Sequence, residues 1–313
     1  MAFRAGVRPL SAVPGASASV GLGCAPIGNL YREVEEGAAE GTVVAALDRG
    51  IRFFDTAPHY GAGVSERRLG SALRGVDRDS VSIATKVGRV IVDRDGEPVP
   101  IGSTGMGTEG DLSADGVLRS VEGSLIRLGT DRIDLLHLHD PVDIDEALRG
   151  AVPALVRLRE EGVVRAIGAG MVWAEPLTRL VREADLDVVM IAGRTTLLDR
   201  TAEDKLLPAA LERGVGVIAA GVYNSGILAD PERSPFFDYR EASPELRERA
   251  LRMRDACTDY GVMLSEAAAR YPLRLPAVEA VVIGARTPAE VAAFPDTATD
   301  PLPEELWAIL EHL

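Results

Sequence analysis

Short apolar runs alternate with longer amphipathic segments along almost the whole chain. Eight runs read as strands: SVGLG (19–23), IRFFDT (51–56), VSIATK (81–86), DLLHLH (134–139), VRAIGAG (164–170), DVVMIAG (187–193), VGVIAAG (215–221) and AVVIGA (280–285). Their apolar positions are nearly continuous rather than alternating, which is the pattern of parallel strands covered on both faces. The segments between them follow a helical period. In DGVLRSVEGSLIRLG (115–129), Val117, Leu118, Val121, Leu125 and Leu128 fall on one stripe and Gly129 supplies the stop. DEALRGAVPALVRLREEG (145–162) repeats the formula and ends on Gly162, which predicts a second helix there.

Eight such beats without a break in composition predict one closed (β/α)8 barrel of the α/β class, with residues 1–313 as a single domain. A doubly wound sheet is the rival. It would want a G-x-G-x-x-G turn after the first strand, and GLGCAPIG (21–28) is not that pattern. Two longer loops interrupt the rhythm, at 87–110 after the third strand and at 226–245 after the seventh. In a barrel both rise over the C-terminal face, where sites are built.

Composition narrows the class. Hydrophobic residues make up 46% and charged residues 26% of the 313, ordinary for a soluble globular chain. A net charge of −14 and a pI near 4.9 argue against a nucleic-acid or anionic-membrane surface, because phosphates would be repelled. Two cysteines, Cys24 and Cys257, make neither a disulfide framework nor a zinc spacing, which fits a reducing, cytoplasmic setting and no metal. No apolar run approaches the roughly 18 residues of a membrane span. The amino-terminal MAFRAGVRPLSAVPG has no apolar core or small-residue cleavage pattern, and so does not read as a signal peptide. Nothing in the pattern sets an oligomeric state.

The candidate chemistry sits where strands end. In RFFDTAPHYGAG (52–63) an apolar run stops at Asp55, and the following loop offers His59 and Tyr60; Lys86 closes the third run and His139 the fourth. Taken singly, each has an ordinary use: a turn cap for Asp55, a snorkelling rim residue for Lys86, packing for Tyr60 and His139. Together they form a set suited to proton transfer. A phenol has a pKa near 10; a neighbouring ammonium stabilises phenolate and lowers that value, and a carboxylate holds the ammonium charged and oriented. A histidine across the pocket can hold a carbonyl or hydroxyl oxygen, so the set fits a carbon that gains or loses a hydride. His137, two residues before His139, points to the same side but deeper, and reads as packing.

These residues also resemble a known family, the aldo-keto reductases. GIRFFDTAPHYGAGVSERRLGSAL (50–73) matches their first signature, ATKVG (84–88) their lysine strand and RIDLLHLHDP (132–141) their histidine strand. GVVRAIGAG, AGRTTLLDR, GVYNSGILA and AVVIGARTPAEV follow in the order of the family's cofactor strands, so the resemblance runs from about Val20 to Phe294. Within the family the chain is most similar to the bacterial aldose 1-dehydrogenase branch, which includes L-fucose and D-threo-aldose dehydrogenases and pyridoxal 4-dehydrogenase. The resemblance implies roles: Tyr60 as general acid in reduction and base in oxidation, Lys86 paired with Asp55 to tune it, and His139 to orient the substrate oxygen. His59 and Trp173 would face substrate.

The resemblance further implies NAD or NADP laid across the barrel mouth. Gly221, Tyr223, Ser225, Gly226 and Leu228 match the pyrophosphate loop, where backbone N–H groups meet an anion. Gly284, Ala285, Arg286 and Glu290 match the adenosine-side turn at a helix start. A carboxylate at 290 would repel a 2′-phosphate and accept from ribose hydroxyls, which tilts the expectation toward NAD, with Arg286 acting in the opposite sense. Two positions depart from the family. Thr195 stands where an aromatic ring usually underlies the nicotinamide, and Val172 where an Asn usually holds the carboxamide. Either Trp173 and Arg194 compensate, or the ring sits differently, or hydride transfer is not the task.

Three functions follow. The first is an NAD(P)-dependent oxidoreductase interconverting a hydroxyl and a carbonyl, such as an aldose hemiacetal and its lactone, on a small-molecule substrate. The second keeps the Tyr60, Lys86 and His139 set for a non-redox elimination, isomerisation or cyclisation. The third is a dinucleotide-binding barrel that regulates a partner.

Overall fold

Eight strands, each too apolar to face water on either side, close on themselves into a parallel barrel. They are β1 (Ser19–Gly23), β2 (Phe53–Asp55), β3 (Ser82–Val87), β4 (Ile133–His139), β5 (Val164–Met171), β6 (Val188–Ala192), β7 (Gly216–Ala220) and β8 (Val278–Gly284). Each pairs in parallel with the next, and β8 closes on β1. The structure is a computed structural model that describes residues 10, 13, 19–30, 32–295 and 301–313. The amino-terminal stretch weighed above as a leader lies, apart from Leu10 and Val13, outside the described residues.

Helices run between the strands: α1 (Glu36–Asp48), α2 (Val64–Ala72), α3 (Ala114–Leu128), α4 (Ile144–Arg149), α5 (Ala151–Glu160), α6 (Ala174–Glu183), α7 (Leu206–Arg213), α8 (Pro244–Asp259), α9 (Leu264–Arg270) and α10 (Pro288–Ala292). A further helix, α11 (Glu304–His312), follows the barrel. α3 spans the expected stretch: Ser113 caps its start by accepting from the Gly116 N–H, and Gly129 at φ 63° ends it. The single helix expected over 145–162 is instead two, broken at Gly150. Pro153 has no N–H to give to the carbonyl of Arg149, and a side chain at Gly150 would lie 2.4 Å from the Leu112 carbonyl oxygen, so the helix ends and restarts.

Three cores hold the molecule. The largest packs the outward faces of the strands against the helices. A second lies under α8, α9 and α11 and takes in Leu228, Met253 and Trp307. The third fills the barrel with the inward side chains Phe53, Ala84, Leu135, Ala166, Val188, Ile218 and Ala280. Successive inward positions are two residues apart. Two steps on from Phe53 is Asp55, two from Ala84 is Lys86, and two and four from Leu135 are His137 and His139. The apolar plug therefore gives way to ionisable groups at one end of the barrel, and parallel pairing sets that end level: Asp55 lies beside Ala84, and Lys86 beside His137.

Candidate active site

Lys86 is the hub of that end. Its side chain is 2% exposed, and its Nζ donates to both Asp55 carboxylate oxygens at 2.7 Å and to the Thr56 carbonyl at 2.9 Å. Burial, the largest influence, pulls the ammonium pKa down, but the Asp55 charge and the nearby Tyr60 oxygen outweigh it and hold Lys86 above its ordinary range. The amine is therefore charged and fixed.

Tyr60 reaches this pair from the loop after β2. The Lys86 Nζ stands 4.7 Å from the centre of the phenol ring. The loop returns because backbones touch: a side chain at Gly61 would come within 2.3 Å of the Gly28 carbonyl oxygen, and one at Gly28 within 2.8 Å of the Tyr60 carbonyl oxygen. Gly61 also sits at φ 64°, which a side chain rarely permits. Beneath the turn, Thr56 and Ser65 hydroxyls bond at 2.8 Å, and Ser65 donates to the Cys24 carbonyl at 2.8 Å.

The expected direction of the phenol's pKa is not the one the structure gives. Burial of the Tyr60 oxygen pushes it up to about 12; Lys86 pulls down, but the Asp55 carboxylate adds to the rise. At neutral pH the Tyr60 phenol is therefore protonated, and the Lys86 charge limits the rise that burial imposes. His139 faces Tyr60 edge-on, ring centres 5.7 Å apart at 88°. Burial first, then the Lys86 charge, puts its pKa well below the ordinary value, so the imidazole is neutral. Its Nδ1 is buried with no partner among the described residues. His137, fully buried beneath it, is lowered to about 3 by burial and then by Lys86.

His59 completes this side. Its ring centre is 5.7 Å from that of His139, and its Nδ1 is 2.6 Å from the Thr108 hydroxyl, on a hairpin formed by residues 89–92 and 107–110. Trp173 is exposed at the start of α6. Beside it, the Val172 N–H donates to the Asp140 carboxylate at 3.2 Å and its carbonyl accepts from the Arg194 Nε at 2.9 Å.

Around the rest of the mouth the backbone leaves regular structure. Gly221, Asn224, Ser225 and Gly226 all have positive φ. Asn224 is buried and donates to the Gly193 carbonyl at 3.0 Å, while its Oδ1 and the buried Thr195 hydroxyl have no partner among the described residues. Tyr223 is partly buried against the cores. Leu228 does not face the mouth: its side chain lies in the second core and its N–H donates to the Tyr223 carbonyl at 3.2 Å. Ala285 likewise packs into the main core, and Gly284 pairs with Gly23 of β1. At the start of α10 the Glu290 carboxylate accepts from the Arg286 N–H at 2.7 Å and from its guanidinium at 3.1 Å, so these two are partners of each other.

Several residues at the mouth carried no sequence signal strong enough to select them: Thr56 through its carbonyl, Ser65, Asp140, Asn224 and Asp238. Each acts through backbone geometry or through a partner distant in the chain. Only Asn224, inside the Gly-rich GVYNSG, stands in a stretch whose composition points to a loop.

The open end of this parallel eight-stranded barrel gathers a phenol, a lysine–carboxylate pair and a neutral histidine, groups whose chemistry suits proton transfer to and from hydroxyl and carbonyl oxygens. The family comparison agrees. Residues 19–313 match the Aldo/keto reductase family, and the chain belongs to it. It is 42% identical to D-threo-aldose 1-dehydrogenase of a Pseudomonas species, over 97% of this chain and 96% of that one. It is 37% identical to pyridoxal 4-dehydrogenase of Microbacterium luteolum, over 93% and 92%. Among solved structures it resembles the holo form of an aldo-keto reductase from Bacillus halodurans, with a TM-score of 0.77, 28% identity and coverage of 94% and 91%. The chain is an oxidoreductase acting on CH–OH or carbonyl groups, of a family that uses NAD(P)H.

Proposed function

We propose that the protein interconverts a hydroxyl and a carbonyl, oxidising the hemiacetal hydroxyl of a small aldose to the lactone or reducing an aldehyde or ketone to its alcohol, with Tyr60 as the group that moves the proton. The observation that carries this reading is the Lys86–Asp55 pair, with its 2.7 Å contacts, lying against the Tyr60 ring opposite a neutral His139. The unpartnered buried atoms at the mouth, Thr195 Oγ1, Asn224 Oδ1 and His139 Nδ1, fit bound polar ligands, since buried polar groups are ordinarily satisfied. The dehydrogenase names of the relatives favour oxidoreduction over the non-redox alternative.

A dinucleotide at this mouth would give or take the hydride. Gly221, Tyr223, Ser225 and Gly226 would hold its phosphates and Thr195 would border the nicotinamide, while Arg286 and Glu290 would meet the adenosine end. In reduction Tyr60 donates its proton to the carbonyl oxygen as the C–H bond forms, and Lys86 stabilises the phenolate left behind. In oxidation the phenolate takes the hydroxyl proton. His139, neutral, donates a hydrogen bond that holds the substrate oxygen, and His59 and Trp173 border the substrate. Glu290 is engaged with Arg286, which leaves that arginine less available to a 2′-phosphate; this favours NAD.

The test is direct. Purified protein is mixed with NAD or NADP and a panel of aldopyranoses, and reduced cofactor is followed by absorbance. Turnover on at least one sugar, faster with NAD, is expected. No turnover on any sugar, together with no thermal shift on adding NADH or NADPH, overturns the reading.

A further inference from the structure

The loop after β7 ends in the smallest hairpin the chain can make. Phe236 pairs with Glu241 and Phe237 with Arg240, leaving Asp238 and Tyr239 as a two-residue turn. Both have positive φ, 48° and 64°. Two-residue turns of this kind favour Asn-Gly, because Gly alone takes the second position without strain. A tyrosine there is a true outlier, and such strain persists only where the surroundings impose it.

The surroundings anchor the turn at two points. The Asp238 carboxylate pairs with the Arg194 Nη1 at 2.7 Å. Arg194 is itself held by the Val172 carbonyl at 2.9 Å and by Asp199 at 3.0 Å, so it ties together the loops after β5, β6 and β7. The Tyr239 N–H donates to the Ser225 hydroxyl at 3.0 Å. These contacts fix the backbone of Tyr239 while the residue remains 61% exposed. The Tyr239 oxygen also lies within electrostatic reach of the Tyr60 phenol and adds to the rise in its pKa. The Arg194 and Ser225 contacts set the tip at the β6–β7 rim of the mouth.

The aromatic inventory points the same way. The chain has only 14 Phe, Tyr and Trp residues (6, 6 and 2). Among the described residues four of these are strongly exposed, Trp173, Phe236, Tyr239 and Tyr260, and three of the four stand on the loops that follow β5 and β7. Exposed rings gathered on the loops after β5 and β7 make walls for a flat or apolar ligand face.

We propose that Tyr239 is a specificity-determining residue of this site: held over the barrel mouth by the Arg194–Asp238 ion pair, it forms a stacking wall for a ring-bearing substrate. Arg194 and Asp238 are its positioning residues. This rests on the oxidoreductase reading above and adds the substrate class to it.

The experiment compares two aldehydes reduced in the same assay, a pyridine carbaldehyde and the acyclic glyceraldehyde, with wild type, Tyr239→Gly, Tyr239→Phe and Asp238→Asn. Loss of one stacking contact predicts that Tyr239→Gly lowers kcat/KM about tenfold on the ring aldehyde, mainly through KM, and less than about twofold on glyceraldehyde. Tyr239→Phe keeps the wild-type ratio between the two substrates. Asp238→Asn reproduces part of the loss, because the ring is present but no longer latched. Since glycine relieves the positive φ, Tyr239→Gly melts no lower than wild type, so a folding defect cannot imitate the result. An equal loss on both aldehydes, or none on either, overturns the role of Tyr239. Inactivity of the wild type on both aldehydes, with either dinucleotide, overturns the aldehyde reduction proposed above and the ring-substrate role with it.

Discussion

On the β2–β4 side of the barrel mouth the ionisable side chains stand on the inward positions of strands, and their place follows from the pleat. On the β6–β8 side the charged residues lie past the strand ends and are held by one another: Arg194 by Asp238 and Asp199, Arg286 by Glu290. The first side is dry. Lys86 and Asp55 are almost inaccessible, and breaking such a pair strands a charge where water cannot reach it. The second side is half open, and exposed ion pairs contribute little to stability. On the proposed function, the first half would fix the proton chemistry and the second would decide what is brought to it. Substitutions on the first should damage both fold and rate; substitutions on the second should change selectivity and leave the fold alone.

Lys86→Met should show the largest effect. It leaves the Asp55 carboxylate buried without its partner, a loss of about 3–5 kcal/mol in unfolding free energy by urea titration, with activity gone as well. If the variant is as stable as wild type, the first half is not built around this pair. Tyr60→Phe comes next and separates rate from fold. A positioned general acid contributes typically 10²–10⁴-fold, so turnover should fall about 10³-fold, while dinucleotide binding by fluorescence and the melting temperature stay near wild type. Retention of even a tenth of the activity would remove Tyr60 from the proton step.

Two pH dependences sharpen the contrast within the first half. With Tyr60 pushed up to about 12, the phenolate needed for oxidation gains tenfold per pH unit below that value. Oxidation should therefore keep rising through pH 9, while reduction, which uses the protonated phenol, should stay flat. His137 bears on stability instead. Its folded pKa of about 3 lies below the ordinary 6.5, so the unfolded chain binds the extra proton; stability is full above pH 6.5 and is lost as pH falls toward 3. His137→Leu should flatten that acid limb of the melting temperature. An unchanged limb would mean that another group drives acid unfolding.

The same division explains what the sequence could tell. The eight strands were legible because continuous apolar runs between helical stretches admit few arrangements, and Asp55, Lys86 and His139 were legible because each ends such a run. Tyr60 was reachable because only four residues, Thr56 to His59, separate it from Asp55 and a glycine, Gly61, follows it. The direction of its pKa was not, since pairing and burial oppose each other and only the three-dimensional environment says that burial wins. On the other half, Arg194 meets Asp238 at 44 positions' separation in the chain, and no local pattern marks that pair. The break at Gly150 was missed for a related reason: Pro153 is locally visible, but the helix periodicity on either side of it continues undisturbed.

Glu290→Gln should give the smallest effect and tests the second half most closely. The carboxylate accepts from the Arg286 N–H and guanidinium, with Arg32 at 4.0 Å behind it, and both Arg286 and Glu290 are about a third exposed. A pair of that exposure is worth at most about 1 kcal/mol, so stability should barely move. What should move is the choice of cofactor. The amide keeps an oxygen for the Arg286 N–H but gives up the charge that occupies the guanidinium, and a freed guanidinium is the natural partner of a 2′-phosphate. The ratio of kcat/KM for NADP over NAD should then rise by up to about fivefold, the equivalent of about 1 kcal/mol. The sign matters more than the size. A ratio that falls would mean that Glu290 aids NADP by orienting Arg286 rather than restraining it. A ratio that does not change would detach the β8 turn from the adenosine end, leaving cofactor choice to the loops that Arg194 joins.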